Sequence, residues 1–253
     1  MESFVMERIK RSDLYRILFK SFLIQGSWNF QSMLGLGFCY CLIPVLNRLY
    51  GDERERQAFL RRHIEFFNAH PYFSTWSLGA VSKLEEEAKH KKWKNHQPIN
   101  LFKNRTVGVL GVIGDRLFWN GFKPAAAAMA VTIGLFSWVA IPLFLIVYNI
   151  PHLYVRIKGL NLGYRKGFDI VSNLSVRRFE KYFSLASKAG VVFTGLYFGA
   201  ASLESWGGGR ASFLTFITAI PVTLLLTRKG KSIAMCVSAS VVLAVLWGAI
   251  FSS

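Results

Sequence analysis

Long stretches of this chain carry no charged residue, among them 26 positions from Ala125 to Ile150, 17 from Ala211 to Thr227, and 22 from Ser232 to Ser253. A helical crossing of the hydrocarbon core takes about 20 apolar residues. Backbone groups in lipid must be satisfied within the segment itself, which favours helices. The runs therefore predict an all-α integral membrane protein with spans near residues 125–150, 189–203, 211–227 and 232–251. Residues 1–20 are charged and have no apolar core ahead of a small-residue cleavage site, so no cleavable signal peptide is expected.

Against this apolar background the net charge is +17, from 31 basic and 14 acidic residues. A soluble chain this basic would suggest nucleic acid. In a membrane protein the same excess is what cytoplasmic loops accumulate, and no nucleic-acid partner is expected. Cys39, Cys41 and Cys236 all lie in apolar runs and form neither a CxxC pair nor a zinc spacing.

The charge pattern also orders the N-terminal half. Residues 1–20 alternate basic and apolar positions, which suits an amphipathic helix on a cytoplasmic membrane face and equally an ordinary solvated helix packed on the protein. Segments 21–47, 66–82 and 106–121 are apolar but broken. The first is interrupted at Gly35 and Gly37 and closed by Pro44, the second by Asn68-Ala-His-Pro71, and the third carries Gly108, Gly111 and Gly114. Basic segments flank both 21–47 and 66–82, so both ends of each belong on one face. Re-entrant or discontinuous helical hairpins satisfy that, provided their irregular backbone is buried in protein. Residues 1–20 thus form a cytoplasmic-face helix and 21–253 a single membrane-embedded domain. Glu85-Glu86-Glu87 is read as one turn of a solvated helix, and Arg228-Lys-Gly-Lys231 as a tight cytoplasmic turn between the last two spans.

No nucleotide-binding motif, metal-ligand cluster or nucleophile–base arrangement stands out, and no cofactor is expected. What remains is a set of polar residues near breaks in apolar sequence: Gln25, Asn29, Gln31, Asn68, His70, Asp115 and Asn120. Polar side chains in such surroundings are costly unless paired or engaged with a ligand, and transporters place substrate at broken helices. Amides, an imidazole and a carboxylate suit the many hydroxyls of a sugar. Asp115 is either a ligand residue or the partner of Arg116 or a loop lysine. An enzyme using His70 and Asp115 as base and acid lacks a nucleophile or metal ligand to accompany them.

Several ordered blocks carry a resemblance. Gln25-Gly-Ser-Trp-Asn29 is followed by Gly35-Leu-Gly-Phe38, Tyr40-Cys-Leu-Ile-Pro44 and Arg62-His-Ile-Glu-Phe-Phe-Asn-Ala-His-Pro-Tyr72. Leu84-Glu-Glu-Glu87, Ile113-Gly-Asp115, Leu117-Phe-Trp119, Asn149-Ile-Pro-His-Leu153 and Gly163-Tyr-Arg165 then follow in order. Over most of residues 16–190 the chain resembles the IID component of mannose-family sugar phosphotransferase permeases. The resemblance implies a multi-pass subunit of a bacterial cytoplasmic membrane that forms the sugar path with a IIC subunit, in a higher oligomer of IIC–IID pairs. Soluble IIA and IIB components would carry the phosphoryl group, leaving no catalytic residue in this chain. The substrate implied is a hexose or amino sugar, with Gln25, Asn29, Gln31, Asn68, His70 and Asp115 along its path. His63, His90 and His96 are read as solvated, and His152 as the cap of a helix starting after Pro151.

The chain departs from the family pattern at three places. Gln31 stands where an acid is usual, Arg116 follows Gly-Asp where a small residue or proline is usual, and the segment 201–211 is short. These departures motivate the alternative of a non-transporting regulatory or vestigial IID-like subunit.

Overall fold

The computed structural model describes residues 8–204, 210–231 and 233–251. The glycine-rich loop at 207–209 and the first residues of the N-terminal pattern lie outside the described residues. The described chain is helical: α1 Arg11–Ser21, α2 Gly35–Leu49, α3 Glu53–His63, α4 Ser74–His90 and α5 Gln97–Gly114. A π-helical segment, Asp115–Phe122, leads into α6 Lys123–Gly134. After α7 Ala140–Lys166 and a 3-10 segment Gly167–Asn173 come α8 Val176–Glu204, α9 Arg210–Arg228 and α10 Ile233–Phe251. Extended pairing among the described residues is limited to two isolated bridges, Asn29 with Met33 and Met33 with Phe67. The contacts group into two compact units, Met1–Pro124 with Leu145–Ser187, and Ala125–Phe144 with Lys188–Ser253.

The first unit is built around α4, which is buried on nearly every side from Ser74 to Ala88. A helix enclosed all round belongs at the centre of its unit. Neighbouring helices reach it through glycines: an added Cβ on Gly79 would strike the Leu160 carbonyl, one on Gly159 the Trp76 indole, and one on Gly163 the Trp76 carbonyl. The four-residue spacing of Gly159 and Gly163 is thus a packing stripe that brings α7 onto α4. α2 starts at Gly35 but does not stop at Pro44; it continues to Leu49. Burial of Val45, Leu46 and Leu49 and the pairing of Arg48 with Asp13 hold the turn beyond the proline.

In the second unit α9 and α10 form a hairpin. Gly230 takes φ +68°, and the Leu225 and Leu226 carbonyls accept from Lys229 N at 3.1 Å and Lys231 N at 3.0 Å. That is how a helix ends on a left-handed glycine. Trp247 Nε1 donates to Thr218 Oγ1 at 3.1 Å across the pair. Elsewhere in this unit Thr132 Oγ1 donates to the Phe193 carbonyl at 2.9 Å, and Gly190 packs on Ala125.

The uncharged run 125–150 is not one helix. It is divided at residues 135–139, between α6 and α7. The Ile133 carbonyl accepts from both Phe136 N and Ser137 N, and Ser137 Oγ accepts from Val139 N at 3.3 Å. Pro142 then falls in the first turn of α7, where its missing N–H has no helical partner to lose. Segment 106–121 also differs, staying helical throughout as the end of α5 and most of the π-helical segment. One described helix, Ala140–Asn173, is long and apolar enough to cross a membrane; Gly35–Leu49, Phe213–Leu226 and Met235–Ile250 are apolar but shorter.

The acid run is not a solvated turn. Glu85 is fully buried and receives four donors: Arg62 Nε and Nη2, each at 2.7 Å, His63 Nε2 at 2.8 Å, and Tyr50 Oη at 2.6 Å. Lys103 is buried beneath them and donates to the Arg62 carbonyl at 2.6 Å. Glu86 accepts from Ile9 N at 2.9 Å and Tyr164 Oη at 3.0 Å, fastening the N-terminal segment and α7 to α4. His63, expected in solvent, is also fully buried. Burial acts to raise the Glu85 carboxyl, but the hydrogen bonds from Arg62 and His63 prevail and hold it well below the usual carboxylate range. Burial pushes His63 down to about 4, since Arg62 already neutralises the carboxylate. His63 therefore donates to Glu85 as a neutral ring.

Both shifts have the same sign for stability. The folded state binds fewer protons than the unfolded one below the ordinary pKa of each group, so stability falls with acid. The expected result is a thermal midpoint in detergent that is insensitive to His63 and Glu85 above about pH 6.5 and falls as pH drops through about 4. Glu85→Gln leaves the Arg62 guanidinium buried without a counter-charge and is expected to cost about 3–5 kcal/mol, read as a lowered midpoint at neutral pH.

Candidate functional site

Residues 22–34 and 64–73 are two irregular stretches inside the first unit, and backbone bonds join them. Leu34 N donates to the Phe67 carbonyl at 2.9 Å, and Phe67 N to the Ser32 carbonyl at 3.2 Å. Asn29 folds the first stretch. Its Oδ1 accepts from Gln31 N at 3.0 Å and Ser32 N at 2.8 Å, while its Nδ2 donates to the Ser27 carbonyl at 3.1 Å. Asparagine bonding its own backbone two and three residues on is a turn former. Gly35 lets α2 start directly against the 64–65 backbone, for an added Cβ would strike the Glu65 carbonyl.

The join opens a cleft of about 440 Å³ lined by Asn29, Gln31, Ser32, Leu36, Glu65 and Phe66, with Ile64 beside them. Of the six candidates, Asn29 and Gln31 line this cleft. Gln25 and Asn68 are exposed on the same two stretches, and Asp115 is half-buried at the start of the π-helical segment. Glu65, which sequence reasoning passed over, supplies a carboxylate to the cleft; its membership in the Arg62–Tyr72 block was the available signal.

His70 lies apart from the cleft and is buried. Gly114 makes room for it, since a Cβ there would overlap the imidazole. Phe118 stacks on the ring at 5.6 Å between centroids, and Trp119 and Tyr72 close on it at 5.0 and 4.8 Å. Nδ1 accepts from Tyr72 N at 3.2 Å, and Nε2 has no hydrogen-bond partner among the described residues. The π-helical segment begins one residue after Gly114, and such segments often mark functional sites. Asp115 has no ion pair among the described residues: Arg116 turns to Glu180 at 3.3 Å and stacks over Phe183 at 4.3 Å.

Tyr72 links this pocket to α7. Its hydroxyl meets that of Tyr148 at 2.9 Å, and its ring stacks on His152 at 4.6 Å. His152 does not cap a helix start, because α7 runs through Pro151; its Nε2 meets Asn149 Oδ1 at 2.8 Å. Buried Arg156 lies over the Tyr72 ring at 4.9 Å and donates to the Ser21 carbonyl at 2.8 Å.

A profile of the family described as "PTS system mannose/fructose/sorbose family IID component" matches residues 8–200. Over 191 residues the chain is 35% identical to the PTS system mannose-specific EIID component of Escherichia coli, covering 75% of this chain and 68% of that protein. It is 31% identical over 190 residues to the fructose permease IID component of Bacillus subtilis, covering 75% of this chain and 69% of that one. With the sorbose-specific EIID component of Klebsiella pneumoniae the figure is 33% over 191 residues, covering 75% and 70%. Among solved structures, a chain of the mannose transporter ManYZ in complex with a microcin superposes with a TM-score of 0.62 at 27% identity, covering 96% of this chain and 98% of that one. A second chain, described as a membrane protein, gives a TM-score of 0.71 at 27% identity with the same coverage.

An all-helical chain with these likenesses is a membrane component of the transporter class. It belongs to the IID component family of the mannose/fructose/sorbose phosphotransferase systems.

The seat of His70 gives a paired test. Gly114→Ala places a methyl on the imidazole and is expected to destabilise the protein by about 1–3 kcal/mol, as overpacking does. Gly108→Ala, where a Cβ meets nothing, is expected to be neutral or to stabilise by up to about 1 kcal/mol. Thermal midpoints of the two variants in detergent measure the contrast.

Proposed function

We propose that this chain forms, with a IIC subunit, the sugar translocation path of a phosphoenolpyruvate-dependent permease in the bacterial cytoplasmic membrane. The observation that carries the site is the Nε2 of His70, buried and without a partner among the described residues. A buried donor or acceptor left unmade costs about 1–3 kcal/mol, and a sugar hydroxyl is a fitting partner. Asn29, Gln31 and Glu65 in the cleft, with Gln25, Asn68 and Asp115 near the same breaks, offer further amide and carboxylate groups to hydroxyls. Asn29 already spends both its amide atoms on the turn, so in this reading it shapes the cleft and Gln31 is the freer contact.

The chain carries no phosphoryl group in this scheme; soluble IIA and IIB components do, and the substrate is a hexose or amino sugar. Segments 21–47 and 66–82 enter the membrane from the cytoplasmic side and return to it. Their basic flanks support that topology, as do the irregular backbones at 22–34 and 64–73, which bond to each other. The last two helices cross the bilayer with the 228–231 turn in the cytoplasm. α9 has 19 residues, about 28 Å at 1.5 Å per residue, close to the roughly 30 Å hydrocarbon core.

Deleting the gene should abolish phosphoenolpyruvate-dependent uptake of one hexose or amino sugar, and unchanged uptake of every such sugar would sink the transport reading. In the purified IIC–IID complex, His70→Ala should weaken sugar binding by about tenfold for the lost contact, while Gln25→Ala, an exposed position, should cost less. Sugar affinity by calorimetry separates the two.

A further inference from the structure

α1 presents three distinct faces. Asp13, Ile17 and Ser21 are buried against the rest of the first unit. Tyr15, Phe19, Phe22 and Leu23 form a second face, exposed at 62%, 70%, 44% and 61%. Helical spacing puts 15, 19 and 22–23 on one stripe. Arg16 and Lys20, one turn apart, form a third, and they border a cleft of about 360 Å³ between α1 and α2 lined by Asp13, Arg16, Lys20, Pro44, Asn47 and Arg48.

Among the described residues the charges in that cleft do not balance. Asp13 accepts from Lys10 N at 3.0 Å and from Arg48 Nε at 2.9 Å, with Arg48 Nη2 at 3.3 Å, so its charge is matched by Arg48. Arg16 Nη1 stands off at 3.9 Å with its side chain 69% exposed. Lys20 Nζ rests on the Tyr40 ring at 3.6 Å from its centroid. A cation on a ring face keeps its remaining donors for another acceptor. Two cations thus remain beside one neutralised pair, and an exposed apolar stripe runs along the same helix and the turn that follows it, with the Arg156 guanidinium over one face of Phe22 at 4.8 Å.

We propose that this cleft binds the phosphate of an anionic glycerophospholipid, with Arg16 and Lys20 as its ligands and the acyl chains lying along Phe19, Phe22 and Leu23. The inference rests on the membrane reading given above and adds to it a specific headgroup site. The pairing decides the occupant. A free anion would satisfy the cations but leave the apolar stripe in water, and a purely apolar partner would bury the stripe without matching the charge. A lipid does both, as interfacial helices with basic and aromatic faces do. Asp13 and Arg48 make the floor of the site and hold α1 at its angle to α2.

The test uses the purified IIC–IID complex in nanodiscs of phosphatidylcholine, with and without phosphatidylglycerol. The thermal midpoint should rise with phosphatidylglycerol for the native chain, and native mass spectrometry should show it retained. Arg16→Gln with Lys20→Gln should reduce that retention by roughly thirtyfold, at about 1 kcal/mol per basic side chain near an anionic surface. Lys20→Arg should keep it. Equal retention by the native chain and the double variant overturns the proposal. Stabilisation by inorganic phosphate alone, to the same extent as by the lipid, also overturns it. A spin label on Phe19→Cys reports the stripe: accessibility to oxygen rather than to a polar nickel chelate supports lipid contact. Accessibility to the chelate overturns that contact and the membrane placement with it, whereas protection from both reagents means that a protein surface covers the stripe and also overturns the proposal. An oxygen-accessible label without a phosphatidylglycerol effect removes the headgroup site and leaves the membrane reading standing.

Discussion

The ion pair of Glu85 with Arg62 fixes the architecture of the first unit. Glu85 comes from α4, Arg62 and His63 from α3, and Tyr50 from the end of α2. Lys103 of α5 ties in through the Arg62 carbonyl. A charge this deep is tolerable only when every lone pair is occupied, and removing one partner strands the others. Three elements are therefore held to one geometry by a single carboxylate, and Lys103 adds a fourth through the Arg62 backbone. Hydrophobic burial supplies attraction without direction; the Glu85 cluster supplies the direction.

Glu86, next in sequence, points elsewhere on α4 and does comparable work. It binds the backbone of Ile9 and the hydroxyl of Tyr164, so the chain entering α1 and the second half of α7 are both referred to the same helix. Asp13 then orients α1 on α2 through Arg48. These three buried acids explain how a chain with many exposed basic residues orders its N-terminal half: each is spent inside on tying elements together, while most of the cations stay out.

This division also explains what could be read from sequence and what could not. Helicity followed from the uncharged runs, because apolar segments of that length have few other states in lipid. The breaks near Gly35 and at Asn68–Pro71 were legible as local chemistry, and the ordered blocks carried the family. Burial of Glu85, Glu86 and His63 was not legible, since three consecutive acids among lysines look the same whether solvated or enclosed by partners more than 20 residues away. The split at 135–139 escaped for the opposite reason. Its signals, Ser137 and Pro142, are weak beside 26 uncharged positions. At the candidate site, the residues were picked out individually, but their grouping was not. Whether Gln31 shares a cleft with Glu65 depends on backbone pairing between stretches over 30 residues apart.

The distribution of unmet polar atoms along α4 carries the argument one step further. Towards its C-terminal half, the Glu85 carboxylate has all its oxygens engaged, and Glu86 is shared among three donors. Around its N-terminal half stand His70 Nε2, Trp76 Nε1, Ser77 Oγ, His152 Nδ1 and Arg156 Nε, all buried and all without a partner among the described residues, whereas beside Glu85 His63 Nδ1 alone is left so. Buried polar groups in folded proteins are nearly always hydrogen-bonded, and exceptions call for a reason. A fold that satisfies a carboxylate with four donors at one end of a helix has the means to satisfy an indole and two imidazoles at the other. Leaving them open concentrates hydrogen-bonding capacity around the start of α4, beside the irregular stretch where His70 lies. That asymmetry, more than any single residue, is the reason to place the proposed sugar path at the N-terminal end of α4.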